Sequence, residues 1–496
     1  MPATEANRRR FLGGAAALAA CGATRAWAGR PGFSLASVGT DWERLAAWAD
    51  SLKPPRFPRR EFVITRFGAR ASGASDASAA IAAAIAACHR AGGGRVLVPP
   101  GEFQTGPVVL LSNVELHLAA GATLRFAPDP SRYPLVLTRY EGIELMNYSP
   151  LVRAYGASNI AITGQGTLDG GADWQHWWNW AGRRPGAAHG MERAPAGPAA
   201  SYPPRTQFAD RIRLGQMAEQ GVPVARRVFG PGHYLRPQFI QPYRCENVLI
   251  EGVRLRRSPM YHVHPVLCRN VIVRGLDVAS DGPNTDGCDP ESCGGVLIED
   301  CRFATGDDCV AVKSGRNADG RRLHVPARDH LIRRCRMERG HGAVTIGSEI
   351  SGDARAIFVE QCRIGPAVMT ALRVKNNAMR GGRIENVQAR ALAVSRTAQA
   401  AVTIDFLYEE GAAGPYTPVC RHVRVEGMRV EACRRALELR GLPRAPIEDV
   451  ALVRCRFDHA AEPDIIRDVR GLTLRDVMIN GRPAAAAGAA PAAVRG

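Results

Sequence analysis

Two short stretches of the sequence gather four aspartates. NTDGCDPESC (284–293) and TGDDCVAVKSG (305–315) hold Asp286, Asp289, Asp307 and Asp308, each group beside a glycine. Clustered carboxylates repel one another and resist burial unless they share a proton, a metal or a positive partner. Hydrolysis of a glycosidic bond uses such a cluster directly. One carboxylic acid protonates the leaving oxygen while a carboxylate activates water. Packing three aspartates together raises the pKa of at least one, which then keeps a proton that an isolated Asp would lose. Taken alone, NTDG would equally suit a corner in which Asn and Asp bond their own backbone, and Asp289 keeps that structural reading beside the chemical one.

Further groups of the same kind follow. His341 lies in GHG (340–342), Arg373 and Lys375 in RVK (373–375), and Tyr408 in DFLYEEG. The histidine could set the proton distribution of the aspartates or bind a sugar hydroxyl, and the two cations would suit an anionic substrate. Lysine is scarce: of 65 basic residues only Lys53, Lys313 and Lys375 are not arginine. A coding habit explains most of that bias. A lysine that survives it suggests a need for a compact, flexible ammonium, and Lys313 and Lys375 both fall inside these segments.

Residues so far apart need a scaffold that repeats. NVLIEGVRL from Asn247, NVIVRGLDV from Asn270, GVLIEDCRF from Gly295, HLIRRCRM from His330, AIFVEQCRI from Ala356, HVRVEGMRV from His422, DVALVRCRF from Asp449 and GLTLRDVMI from Gly471 each read as two short strands joined by a corner. The spacing is too short for a helix-turn-helix unit and fits one rung of a parallel β-helix. The expected fold is all-β, a right-handed parallel β-helix, a solenoid that escapes the usual size limit of a single core because each repeat packs only on its neighbours. Equivalent points on successive rungs then lie roughly 4.8 Å apart, which stacks Asp286 on Asp307 and lines up the aspartates, His341, Arg373, Lys375 and Tyr408 on one wall. Cys301, Cys335, Cys362 and Cys455 fall where other repeats have Val253, Leu276, Met428 and Val477, so most cysteines are expected reduced in the core, with Cys288 and Cys293 a conceivable disulfide. ASDASAAIAAAIAACHRAGGG, with Asp76 or Ser78 as cap, predicts an N-terminal helix capping the open end.

The chain of 496 residues carries a net charge of +18 and has ordinary soluble composition. It contains no apolar run of about 18–20 residues that would span a bilayer and no nucleic-acid motif, so its basic character points to an acidic polysaccharide. Residues 1–28 are organised as an export signal: Arg8, Arg9 and Arg10 before Phe11 and Leu12 look like a twin-arginine type, and Leu18-Ala19-Ala20-Cys21 resembles a lipobox through which Cys21 would carry lipid. The protein is thus expected in the periplasm or outside the cell. The remaining expected divisions are a linker at 29–58, the β-helix at 59–482 with an insertion at about 171–233, and a disordered tail at 483–496. Trp174, Trp177, Trp178 and Trp180 of the insertion could stack on sugars or anchor the insertion by burial.

NTDGCD, GDDCVAVKSG, GHG and RVK, in that order, resemble the four signature segments of family 28 glycoside hydrolases, the polygalacturonases and rhamnogalacturonases of pectin breakdown. The similarity runs from about residue 61 to 480. Val374 stands where the family often has Ile, and Tyr408 sits in a less distinctive segment. RPQFIQPYRCENVLIEG, SPMYHVHPVLCRNV and IGSEISG look like the bacterial branch, which includes exo-acting enzymes. The resemblance implies Asp307 as general acid, Asp286 and Asp308 positioning and activating water, His341 supporting them, and Arg373, Lys375 and Tyr408 binding the sugar. Asn284 and Lys313, inside the same segments, join them as candidate substrate contacts. It implies α-1,4-linked galacturonate in pectin as substrate, inversion of configuration, no cofactor and no metal; a monomer is expected. The alternatives are a rhamnogalacturonan hydrolase, a calcium-dependent pectate lyase, whose acidic residues would hold Ca²⁺, and a β-helix that only binds carbohydrate.

Overall fold

The structure, a computed structural model, describes residues 42–182 and 206–484. The export signal expected at 1–28 with Cys21, the middle of the insertion and the tail from 485 lie outside the described residues.

Thirteen parallel strands stack into one long sheet, from Glu61–Val63 to Val469–Arg475. All eight repeats read from the sequence lie in it, in register; Val248, Val271, Val296 and His330 follow one another up one column. A further rung, Arg383–Arg390, enters between Ala354–Glu360 and Val419–Glu426. A second wall holds the other half of each repeat, such as Asp277–Ala279, Arg302–Ala304 and Arg336–Ile346. Single bridges, Ile240 to Val263 to Cys288 to Val310, close the third wall. The chain is a right-handed parallel β-helix.

Apolar residues fill the interior because each strand turns alternate side chains inward. The column expected from the cysteines is inside: Val253, Leu276, Cys301, Cys335, Cys362, Met428, Cys455 and Val477 are all buried. A second cysteine column was not legible: Cys245 N donates to Cys268 Sγ and Cys268 N to Cys293 Sγ, both at 3.4 Å. All twelve described cysteines are free, so Cys288 and Cys293 are not joined; Cys293 occupies that column while Cys288 sits in the bridges of the third wall. At the corners Asn113, Asn159, Asn247 and Asn270 adopt positive φ and form an amide ladder with bonds of 3.0, 3.0 and 3.1 Å. A row of identical side chains on stacked rungs lets each amide donate to the next.

The helix Ser78–Arg90 packs Ala80, Ile81, Ala84, Ile85 and Cys88 into the end of the core. The N-cap position is Ala77, without a side-chain cap bond, instead of the expected Asp76 or Ser78; Asp76, one residue earlier, accepts from Ser78 N at 3.0 Å and Ser78 Oγ at 2.6 Å. The stretch expected as a linker at 29–58 contains a helix, Trp42–Ser51. Leu45, Trp48 and Ala49 share one face and pack on Leu297, Leu331, Ala356 and Phe358 on the outside of the long sheet. Within the insertion, Trp177 and Trp178 are buried, and Trp178 Nε1 donates to Ser258 O at 2.8 Å. These tryptophans anchor the insertion by burial. A Cβ on Gly282 would stand 2.2 Å from the Trp178 ring, so the insertion rests directly on the loop that leads to Asp286.

Candidate active site

The site forms where the chain leaves the second wall. Asp286 follows the strand Asp277–Ala279, and Asp307 and Asp308 follow Arg302–Ala304 one rung on. Gly287 N donates to Asp308 O at 3.0 Å, and the next bridge joins Cys288 to Val310. Asp286 is therefore aligned with Asp308, one residue away from the stacking on Asp307 expected from spacing. Neighbouring side chains on a tight corner converge, and one oxygen from each of Asp286, Asp307 and Asp308 lies within 4.8 Å of the others.

The next rung supplies His341, on the strand Arg336–Ile346, which bulges between Met337 and Arg339. His341 N donates to Asp307 O at 3.0 Å, and His341 Nδ1 is 2.9 Å from Asp307 Oδ1. The glycines beside the acids are there because the rungs leave no room for a side chain. A Cβ on Gly342 would meet Thr345 Oγ1 at 2.1 Å and Asp308 Oδ1 at 2.8 Å; one on Gly287 would meet Cys309 O at 2.4 Å.

One rung further, Arg373 and Val374 pair with Thr345 and Ile346, and Lys375 ends the strand. Lys375 Nζ lies 2.8 Å from Asp308 Oδ2. Tyr408, in the turn after Ala400–Asp405, places its ring 5.7 Å from the Arg373 guanidinium carbon and 5.3 Å from Lys375 Nζ. Asp286, Asp307, Asp308, His341, Arg373, Lys375 and Tyr408 are thus brought together. The other candidates lie around them. Lys313 is 3% exposed and already partnered, 3.1 Å from Glu349 Oε2 and 5.0 Å from the Tyr261 ring. Asn284, half-buried with positive φ, accepts from Arg236 Nη2 at 2.7 Å. Asp289 is fully buried, and neither carboxylate oxygen has a protein partner.

These surroundings divide the carboxylates. Burial, and then the charges of Asp289 and Asp307, hold Asp286 well above the usual carboxylate range, despite Lys313. Burial pushes Asp289 up as well. Burial acts upward on Asp307 too, but His341, Lys375 and Lys313 outweigh it, and Asp307 is held below the usual range. Asp307 in turn raises His341 above its ordinary value, against the effect of burial. The sequence led to the expectation of one raised carboxyl. Two carboxyls are raised in the free protein, Asp286 and Asp289, while Asp307, with His341 against its carboxylate, is held low.

Several residues that shape the site fall inside segments noted in the sequence, Arg236 in RPQFIQPYR, His262 in SPMYHVHP and Glu409 in DFLYEEG, but carry no repeat spacing of their own. Arg236, fully buried, donates to Pro259 O and Pro283 O at 2.8 and 2.6 Å, to Gln207 Oε1 at 3.0 and 2.8 Å, and to Asn284. It ties the insertion to the Asp286 loop. His262 lies under Asp286 with Nδ1 2.8 Å from its carbonyl oxygen, and burial lowers its pKa to about 4, so the ring is neutral. Glu409, next to Tyr408, takes Arg211 at 3.0 Å and Arg380 at 2.5 Å. Among many charged residues, nothing in their spacing distinguishes them. The three clustered oxygens could also chelate a cation, but Asp307 and Asp308 already have His341 and Lys375 beside them.

A β-helix whose wall carries clustered carboxylates flanked by fixed cations defines a carbohydrate-active hydrolase. Residues 232–435 match the family model described as glycosyl hydrolases family 28. The crystal structure of a hyperthermoactive exopolygalacturonase from Thermotoga maritima is 41% identical, with a TM-score of 0.82 over 89% of this chain and 96% of that one. A probable polygalacturonase from Vitis vinifera is 27% identical over 399 residues, 77% of this chain and 71% of that protein. The family 28 exopolygalacturonase of Yersinia enterocolitica, 21% identical, shares the fold with a TM-score of 0.63 over 86% of this chain and 80% of that one. The chain belongs to glycoside hydrolase family 28.

Proposed function

We propose that the protein is an exo-acting polygalacturonase that releases galacturonate units from the ends of pectin chains by acid/base hydrolysis with inversion. The observation that carries this reading is the convergence of three carboxylates within 4.8 Å, with Lys375 on one and His341 on another. Asp307 is the acid that protonates the leaving oxygen. Asp286 and Asp308 hold and activate the water. Arg373, Lys375 and Tyr408 receive the sugar carboxylate, while Asn284 shapes the loop and Lys313 acts as a buried countercharge.

Burial favours the protonated form of Asp286 and Asp289 in the resting site, and Asp307, held low by its neighbours, must gain a proton before it can donate. An incoming sugar carboxylate supplies the means. Lys375 is one of the cations that hold Asp307 down, and an anion bound against Lys375 neutralises that effect and raises the proton affinity of Asp307. The proton then passes from Asp286, which becomes the carboxylate needed to activate water.

The exo mode is supported by the similarity to the Thermotoga enzyme and by the insertion, which is seated against Gly282 and linked to Asn284 through Arg236. Export to the periplasm or beyond is supported by the arginine-led, apolar start of the chain. No helix among the described residues is long and apolar enough to cross a membrane. Chromatography of the earliest products from polygalacturonate tests the reading. Monomers or dimers alone are expected. A ladder of mixed oligomers overturns the exo mode, and release from rhamnogalacturonan alone overturns the substrate.

A further inference from the structure

Away from the catalytic wall, many of the outward arginines of the long sheet have partners, with Arg355, Arg470 and Arg475 as exceptions among the described residues. Arg95 meets Glu115 at 3.0 Å, Arg269 meets Glu246 at 3.1 Å, Arg274 meets Glu251 at 2.6 Å and Arg390 meets Glu360 at 2.6 Å, each across rungs. The stretch LKPPRFPRRE (52–61) is different. Lys53, Arg56, Arg59 and Arg60 are all exposed. Among the described residues none of them has a carboxylate within ion-pair distance, and the Lys53 ammonium reaches only the Asp50 carbonyl, at 3.1 Å. Lys53 is also the third of the three lysines, the one the catalytic site does not use.

The cations are held in place. Leu52 and Phe57 pack on Ala161, Leu249 and Ile272 of the sheet, and Pro54, Pro55 and Pro58 stiffen the chain between them. Lys53, Arg56 and Arg59 are spaced three residues apart, and the chain bends at Arg59, where Arg60 N donates to Pro58 O at 2.8 Å. The segment borders two open concavities that share Pro55 and Arg56. One, of about 1200 Å³, runs between Arg56, Arg59 and Arg60 and the strands bearing Arg95, His117 and Thr163. The other, of about 460 Å³, runs from Lys53 over the amides of Asn159, Asn247 and Asn270. Three glutamates also line the larger one. Glu115 and Glu251 are matched by Arg95 and Arg274, which leaves Glu61 against three unmatched cations, Arg56, Arg59 and Arg60.

We infer that this groove is a second, non-catalytic binding site for an acidic polysaccharide. A polyuronate offers regular carboxylates to the row of cations and hydroxyls to the amide ladder. Nucleic acid would call for exposed aromatic rings on which bases stack, and Phe57 and Trp48, which line the groove, are packed onto the sheet. A membrane surface would call for protruding apolar side chains, and none line the groove. Tethering the polymer at one site raises the effective concentration of its chain at the other. The inference rests on the proposed polygalacturonate substrate, and its test separates the two.

The test is a quadruple variant, Lys53→Gln, Arg56→Gln, Arg59→Gln and Arg60→Gln, compared with the parent on trigalacturonate and on long polygalacturonate. A parent that turns over neither substrate would fail the functional reading itself. With an active parent, kcat/KM on the trimer is expected to stay unchanged, which also reports an intact fold, while KM for the polymer rises on the order of tenfold at low salt. In the Asp307→Asn background, retardation in a polygalacturonate gel is expected to fall, and the difference between the variants to vanish as salt is added. The single variant Arg59→Glu is expected to act in the same direction and serves if the quadruple variant is poorly produced. Unchanged polymer KM and unchanged retardation overturn the inference. So does loss of binding to anionic phosphatidylglycerol vesicles with polymer binding intact, which would assign the patch to a membrane surface.

Discussion

Lys375 Nζ lies 2.8 Å from Asp308 Oδ2, and both side chains are almost fully buried. Removing one member of such a pair leaves the other charge uncompensated in a poorly solvated place, at a cost of about 3–5 kcal/mol. Lys375→Met is therefore expected to lower the urea midpoint strongly and to abolish turnover. Adding Asp308→Asn restores much of the stability and none of the activity. A double variant no more stable than Lys375→Met alone would show that the pair is not what holds the two strands together.

Asp307→Asn removes the proposed acid while preserving its shape. Turnover is expected to fall by about 10² to 10⁴-fold, with polygalacturonate binding, measured by calorimetry, largely kept. Near-normal turnover would remove Asp307 from its role.

The Asp307–His341 pair makes stability depend on pH in both directions. The His341 pKa is raised above 6.5, so its contribution is complete below about that pH and is lost as pH rises through the folded value. The Asp307 pKa is lowered below 3.8, so its contribution is present above that pH and is lost as pH falls through the folded value. The melting-temperature difference between wild type and His341→Gln is expected to be greatest between about pH 4 and 6.5 and to shrink on either side. A constant difference from pH 4 to 9 would contradict the ion pair.

Gly342 has no space for a methyl group, with Thr345 Oγ1 2.1 Å from where its Cβ would stand. Gly342→Ala is expected to cost about 1–3 kcal/mol in chemical unfolding and to lower kcat by displacing Asp308. Gly232→Ala meets nothing within 4 Å but has a φ of +90°. It is expected to be strained locally while kcat stays near wild type, which separates damage to the site from damage to the backbone.

Stereochemistry is an open geometric test of the mechanism. Inverting pairs commonly stand about 6.5–9.5 Å apart and retaining pairs about 5–5.5 Å, and the shortest oxygen separations here, within 4.8 Å, resemble the second class. Inversion is expected nonetheless, because the family resemblance implies it and a third carboxylate lets Asp286 and Asp308 share one water while Asp307 acts as acid. Proton NMR of the first-formed galacturonate should show the β anomer. The α anomer would turn one of these aspartates into a nucleophile.

Much of this protein is legible in its linear order. Alternating apolar residues at rung-length intervals specify a solenoid because each strand must bury one face against its neighbour, and stacked rungs turn sequence spacing into a wall. That logic reaches Asp286, Asp307, Asp308, His341, Arg373 and Lys375 without coordinates. It fails where a contact is made between segments with no common period. Arg236 meets Gln207 of the insertion and Asn284 of the catalytic loop, and the helix Trp42–Ser51 finds its partners only on a sheet built from residues far downstream. The proton's position is of the same kind. Sequence places three carboxylates together, but their order of titration depends on which is nearest a cation and which is deepest, and those distances exist only once the chain has wound round.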